Sequence, residues 1–455
     1  MNVQQTALQR EITAVLSSGS KPVFCEWIVQ IHANGKTHTP VTVMNVENMA
    51  DYLGQYADEI SVEVMMMEGM FNYDIVPYKS KLEVTLKRVP LTDSTILVRD
   101  DYQSAIGFRY TATLYDNNSK LLEGNTPSSN QREIGNRSTL IPVRLQLMQP
   151  VLERMRMQTC GGTFRKLKTI DLVVYLLTKY STTAIKDTAA SVKGVTVLGK
   201  PNPVVREHIV VPHLTPVVGA PTWIHEHAGG VFQTGFRFYL QKQHWYVFSP
   251  FDVKAYESSP KSLTIINVPA NRMPNPERSY RTTPTQLIVL ATGDTKHVDN
   301  SEQQHLNAGN GVRFIDASKV FGGFGTTGDN KLVVEKAKNV NEIVIDPRET
   351  GLNFIKQSAS KITSNYMKEY SDLAARSGSY IQYTWENSNP DLLYPGMAVR
   401  IMYLGNDIPE EMFGVLLGAH SFSTSDTKGM VNKRFNSKTV LTVFINRNIQ
   451  VSANA

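Results

Sequence analysis

Gly323-Phe324-Gly325-Thr326-Thr327-Gly328 spells a literal G-x-G-x-x-G, the spacing that lets a tight turn bring backbone N–H groups to a pyrophosphate. That chemistry needs the motif straight after a strand and opening a helix, so that the helix N-terminus meets the phosphates. Here a turn pair, Asp329-Asn330, follows, and then the strand-like run Lys331–Val334. The pattern predicts a loop and no dinucleotide cofactor. Among the histidines, His208 and His213 lie in a β-like stretch, and Trp223-Ile224-His225-Glu226-His227 reads as a strand with His225 and His227 on one face. Such a pair grips zinc when further ligands arrive. No third or fourth ligand shows in the sequence, so the expectation is surface or core-edge histidines and no metal.

Nucleophilic chemistry finds little support. There is no G-x-S-x-G elbow. Cys160, in Thr159-Cys160-Gly161-Gly162, has no matched histidine to lower its pKa and is expected to be a small buried residue before a turn. The neighbours Asp100-Asp101 and Glu410-Glu411 would point to opposite faces of a strand, poor geometry for a shared acid/base task. Arg154, Arg156 and Arg165-Lys166-Leu167-Lys168 make a modestly basic neighbourhood without a nucleic-acid-binding module, and read as a solvated face. No catalytic, cofactor-binding or metal residues are predicted.

The elements around these residues are mostly strands. Phe24–Ile31 leads to Asn34-Gly35, a strong hairpin signal, with Val41–Met44 returning. Asn45 can cap a short helix in which Met49, Tyr52, Leu53 and Tyr56 fall at i, i+3, i+4 and i+7. Residues 61–88 then form a strand pair around a short break at Asp74–Tyr78. Leu82, Val84 and Leu86 point one way, and Glu83, Thr85 and Lys87 the other. Met65, Met66, Met67 and Met70 supply adaptable apolar surface suited to cores and interfaces alike. Strands are expected at 104–115 and 140–148 around an exposed loop at 117–137, and Thr169 opens a helix over 169–180 with Ile170, Val173, Val174 and Leu177 in a stripe. Short β runs fill 192–300, a Gly/Asn-rich loop spans 300–332, a second helix covers 353–376, and strands at 380–447 close the chain. The fold class is mainly β (α+β) with a few helices.

The 455-residue chain is 41% hydrophobic and 19% charged, with a net charge of +6 and two cysteines, Cys25 and Cys160. The length suggests about three domains. A modest charged fraction suits a protein that covers part of its surface with partners. Two cysteines make no disulfide framework. The N-terminus lacks a signal-peptide layout, no run approaches the ~18 apolar residues of a membrane span, and a soluble chain made in the cytoplasm, without membrane insertion, is expected.

The order of pieces resembles a family, the central hub proteins of tailed-bacteriophage baseplates, which share a tail-tube-like hub fold with the spikes of type VI secretion. The resemblance lies in Ile75-Val76-Pro77-Tyr78 before the alternating Lys81–Arg88, and in Leu145–Met157 with Gly161-Gly162-Thr163-Phe164. It continues in Gly229-Gly230-Val231-Phe232, Gln243–Phe248 with Phe251-Asp252, Asn310–Phe314, Tyr394-Pro395-Gly396-Met397 and Gly414–Gly418. It implies two tail-tube-like β-barrel domains plus accessory parts. The expected division is a first barrel module in 1–100, an accessory segment in 101–205, a second β-rich module in 206–345 and a helix followed by a β-domain in 346–455. It further implies a non-enzymatic virion protein of the tail baseplate. Such a protein is a homotrimer whose barrels form a pseudo-sixfold ring, joining tail tube protein to central spike protein. Tape-measure and baseplate wedge proteins would be further neighbours, and contact of the ring's lumen with DNA is left open. Two other readings fit the same sequence: a cell-wall-degrading tail hydrolase, and another tail component such as a wedge or receptor-binding subunit.

Overall fold

The computed structural model describes residues 3–17, 24–91, 107–115, 140–184, 191–273, 279–294, 378–405, 408–425 and 434–446, with short strands between 312 and 345 and positions 367, 371, 374 and 375. A helix, α1 (Val3–Ser17), comes first, followed by β1 (Cys25–Ala33), β2 (Lys36–His38), β3 (Thr42–Asp51), β4 (Glu59–Met67), β5 (Leu82–Pro90), β6 (Phe108–Leu114) and β7 (Leu140–Met148). Asn34 and Gly35 both take positive φ in the β1–β2 turn, as a two-residue hairpin requires. The returning strand is Lys36–His38; the chain from Thr42 belongs to β3.

The helix expected after Asn45 is replaced by β3, which pairs with β4 on one side and with a strand from the end of the chain on the other. The helical spacing of Met49, Tyr52 and Tyr56 was real, but two ladders of long-range partners outweigh local periodicity. The strands of 59–90 are likewise not each other's partners: β4 lies between β3 and β7, and β5 between β1 and β6. Residues 68–81 between them are successive helical turns rather than a short break, with Pro77 placed at the start of a turn where its missing N–H costs nothing.

The middle of the chain supplies α2 (Pro150–Arg156), β8 (Thr159–Lys168), α3 (Thr169–Ala184), β9 (Gly194–Val197), β10 (Val205–Pro216), α4 (Ala220–His227), β11 (Arg237–Gln241) and β12 (His244–Phe248). α3 is the helix expected at 169–180, extended to Ala184. β8 and β10 form a two-stranded antiparallel ribbon, while β9 joins the β11–β12 hairpin. Trp223–His227, expected as a strand, lies in α4. Pro221 sits in its first turn, and a proline there favours helix initiation. The elements share one core that includes Val173, Leu177, Ile209, Ile224 and Trp245, whose Nε1 donates to Ser181 Oγ at 2.8 Å.

The last part contributes β13 (Ser262–Asn267), β14 (Tyr280–Thr282), β15 (Gln286–Asp294), the short β16 (Val312–Asp316), β17 (Thr326–Thr327), β18 (Lys331–Leu332) and β19 (Asn341–Ile345), then β20 (Ser379–Trp385), β21 (Ala398–Gly405), β22 (Ile408–Ser425) and β23 (Phe435–Ile445). The 117–137 loop, most of 300–332 and most of 353–376 lie outside the described residues. Met367, Ser371, Ala374 and Ala375 are helical.

Pairings close two rings. One runs β13–β21–β22–β23–β20–β15 and back to β13, six strands around Leu263, Ile265, Val289, Trp385, Ile401 and Val443. The other runs β3–β4–β7–β6–β5–β1–β23–β22 and back to β3, around Val29, Ile31, Val62, Met66, Val84 and Leu145; its β1–β23 contact is the single pair Cys25–Phe435. Strands β6 and β7, from the 101–205 stretch, are thus part of this barrel. The β22–β23 hairpin is common to both. β22 gives its outer edge to β21 as far as Val415 and to β3 from Gly418, and a bulge between Leu416 and Gly418 marks the change. The Leu417 carbonyl freed there accepts from Tyr52 N–H at 2.9 Å, so no buried acceptor is left over. α1 lies against the outside of the six-stranded barrel. Ile265 faces its interior, while Ile266 packs in a separate cluster with Leu8 and Val15, the two-sided burial of a covered strand.

Candidate functional site: assembly surfaces and the barrel junction

Alternation along β3 and β4 sorts their side chains. Val46, Ile60, Val62, Val64 and Met66 are buried in the eight-stranded barrel, and Ala50 is buried against the core of the six-stranded one. Their neighbours face outward, where the register sets Met49 opposite Glu59, Glu47 opposite Ser61 and Asn45 opposite Glu63. Met44, Met49 and Met67 keep 44–48% of their surface exposed. Of the methionines noted in the sequence, Met66 is core, Met67 is surface, and Met65 and Met70 are half-buried. Arg144 ties this face together: Nε donates to Ser61 Oγ at 2.8 Å and Nη2 lies 3.5 Å from Glu47, whose other oxygen meets His420 Nε2 at 3.0 Å.

The β8–β10 ribbon presents the opposite charge. Phe164 and Ile209 pair and face the core, so the alternating pairs Thr163–Val210 and Arg165–His208 face out. Val205, Val210 and Leu214 are 55–66% exposed. Arg165 and Lys166 are exposed and Lys168 is half-buried, with Glu207 the acid on these two strands.

A third feature joins the units. Asp391, in the 3₁₀ turn after β20, accepts from Arg88 Nη1 of β5 at 2.7 Å and from Lys242 Nζ in the β11–β12 turn. Arg88 Nη1 also donates to Asn389 Oδ1 at 2.7 Å. Burial alone would raise the Asp391 pKa, but Lys242 and Arg88 together hold it well below the usual carboxylate range. Beside the trio lies a cavity of about 260 Å³ lined by Trp27, Tyr52, Asp58, Tyr110 and Ser421 among others. Asp391 keeps 40% of its side-chain surface exposed and is one of the residues lining the cavity. Asp58 accepts from Tyr239 Oη at 3.0 Å. Burial pushes its pKa up to about 6, with the Tyr239 hydrogen bond opposing.

The residues weighed from sequence for chemistry are scattered. His208 and His213 are exposed on the ribbon. His225 is buried, its Nδ1 accepts from Val231 N–H at 3.0 Å, its ring stacks on Phe236, and burial followed by Arg237 lowers its pKa to about 3. His227 stacks on Trp223 at the other side of α4. Among the described residues no cluster of three histidines, cysteines or carboxylates is placed to hold a metal. Cys160 is in β8, and burial raises its pKa. Glu411 pairs with Arg400 and Glu410 accepts from Tyr403. Asp100 and Asp101 lie outside the described residues. Thr326-Thr327 of the glycine motif pair antiparallel with Lys331-Leu332, so this part of the motif is strand. What sequence reading missed is the junction: Asp58 and Tyr239 are 181 residues apart, and Arg88 and Asp391 303 apart, separations that leave no local pattern.

No protein-family model matches the sequence, and no curated relative does. Among solved structures, the chain is similar to the tail protein of Neisseria meningitidis MC58, with 12% identity over 92% of this chain and 96% of that one at a TM-score of 0.44. It is similar to the 43 kDa tail protein of prophage MuSo2 from Shewanella oneidensis, with 9% identity over 93% and 99% at 0.44. A type VI secretion component of E. coli matches at 9% identity over 91% of this chain and 76% of that one, at 0.38. These are the kinds of protein the sequence resembles.

Proposed function

We propose that this chain is a structural protein of the virion tail baseplate, a homotrimeric hub that joins the tail tube protein to the central spike protein and adapts sixfold to threefold symmetry. The observation that carries this reading is the shared β22–β23 hairpin, which fuses two β-barrels into one chain. Three such chains bring six barrels, so a threefold ring can offer a sixfold partner six comparable positions. Pairing also covers most long strand edges in both barrels, the β1–β23 seam with its single Cys25–Phe435 pair excepted, which favours contacts through faces and loops over uncontrolled strand addition. The role is non-catalytic, with the buried thiols held protonated and Glu410 and Glu411 engaged with separate partners. Mixing purified protein with tube protein and with spike protein tests the reading. Stoichiometric complexes of a trimer with each are expected, and a stable monomer that binds neither would contradict it.

A further inference from the structure

Two surfaces of the chain complement each other in charge while both expose apolar side chains. The outward face of β3 and β4 carries Glu47, Asp51, Glu59 and Glu63 around the exposed Met49. Arg144 and His420 engage Glu47, and no ion pair within the described chain engages Glu59 or Glu63. The outer side of the β8–β10 ribbon carries Arg165, Lys166 and Lys168 around the exposed Val205 and Val210. None of these three cations has an ion-pair partner in the described chain. One strip is therefore acidic and methionine-rich, the other basic and valine-bearing, and they stand on different structural units. Methionine suits such a contact because its flexible thioether adapts to an irregular partner surface. We infer that the β3–β4 face of one copy docks on the β8–β10 ribbon of the next copy.

The occupant is a second copy because the complementary charge lies on this same chain. The contact joins unlike patches and is heterologous, the type that propagates around a ring and closes when the rotation allows. The inference rests on the trimeric reading above and supplies the surfaces it needs.

Charge reversal tests it on the full-length chain by sedimentation at low and moderate salt. Glu59→Lys with Glu63→Lys should weaken self-association by at least about tenfold, since like charges brought together across an interface are strongly unfavourable. Arg165→Glu with Lys168→Glu should do the same. These side chains are exposed or half-buried, and circular dichroism checks that each variant is folded. The combined fourfold variant reverses both strips and should recover most of the lost association. A folded combined variant that stays dissociated would overturn the inference, as would a trimer that ignores both reversals. A monomeric wild-type protein would instead remove the trimeric reading itself, so the two failures are distinguishable.

Discussion

Replacing Asp58 with asparagine tests whether burial at the barrel junction disfavours the charged carboxylate. Its pKa moves from 3.8 to about 6 on folding, a difference of roughly two units, or about 3 kcal/mol at 1.36 kcal/mol per unit. Because the folded pKa is raised, the folded state holds the proton more tightly. The associated stability is fully present below pH 4 and is lost as pH rises through 6. At pH 8 the wild-type protein therefore carries an unfavourable contribution that a neutral asparagine lacks. Asparagine keeps an oxygen for the Tyr239 hydroxyl. Weakening the Tyr239 bond costs about 1 kcal/mol at either pH, so Asp58→Asn should gain about 2 kcal/mol at pH 8 and lose about 1 kcal/mol at pH 4. Denaturant unfolding at pH 4, 6 and 8, at fixed protein concentration so that association does not intrude, reads the difference directly. A variant less stable than wild type at pH 8, or a gain that does not change with pH, would refute the reasoning.

Other outcomes follow from the same packing. Asp391→Asn leaves the Arg88 guanidinium, only 7% exposed, with a neutral neighbour; it should cost about 2–4 kcal/mol, at the lower end because Asp391 is partly exposed, and hydrogen exchange should rise at β5 and the β11–β12 turn. Since Asp391 has a depressed pKa, its contribution to wild-type stability is present above about pH 4 and lost as pH falls below that, a window separate from that of Asp58. Met66→Ala, in the barrel core, should lose about 2–5 kcal/mol in thermal or denaturant unfolding, whereas Met67→Ala on the outer face should stay within about 0.5 kcal/mol. Trp245→Phe should destabilise the middle unit by about 1–3 kcal/mol, because it leaves Ser181 Oγ without its buried donor and opens space beside it.

The sequence carried the local parts of this fold and lost the long-range ones. The alternation of Leu82, Val84 and Leu86, the Asn34-Gly35 turn and the apolar stripe of 169–180 each specify an element within a few residues, and each element is present. The helix expected from Asn45 was misread because Met49, Tyr52 and Tyr56 satisfy a helical period by chance. Only the strand partners 10 to 23 residues and more than 350 residues away reveal Thr42–Asp51 as β. Where a strand was expected at Trp223–His227, Pro221 in the first turn is a local helix-start signal. Pairing order was beyond reach: nothing near residues 61–88 says that β4 will choose β7 over β5. The docking surfaces were half visible. The methionines were conspicuous, but which of Met66 and Met67 faces solvent depended on register, and the matching basic strip needed the β8–β10 ribbon to be assembled.

The most direct measurement is the mass of the purified full-length chain in solution, by native mass spectrometry or mass photometry, alone and with tube protein added. The expected species has three times the 50.9 kDa chain mass and takes up tube protein in a ring-like complex with six barrel positions. A protein that stays at 50.9 kDa at all concentrations and ignores tube protein would contradict the hub.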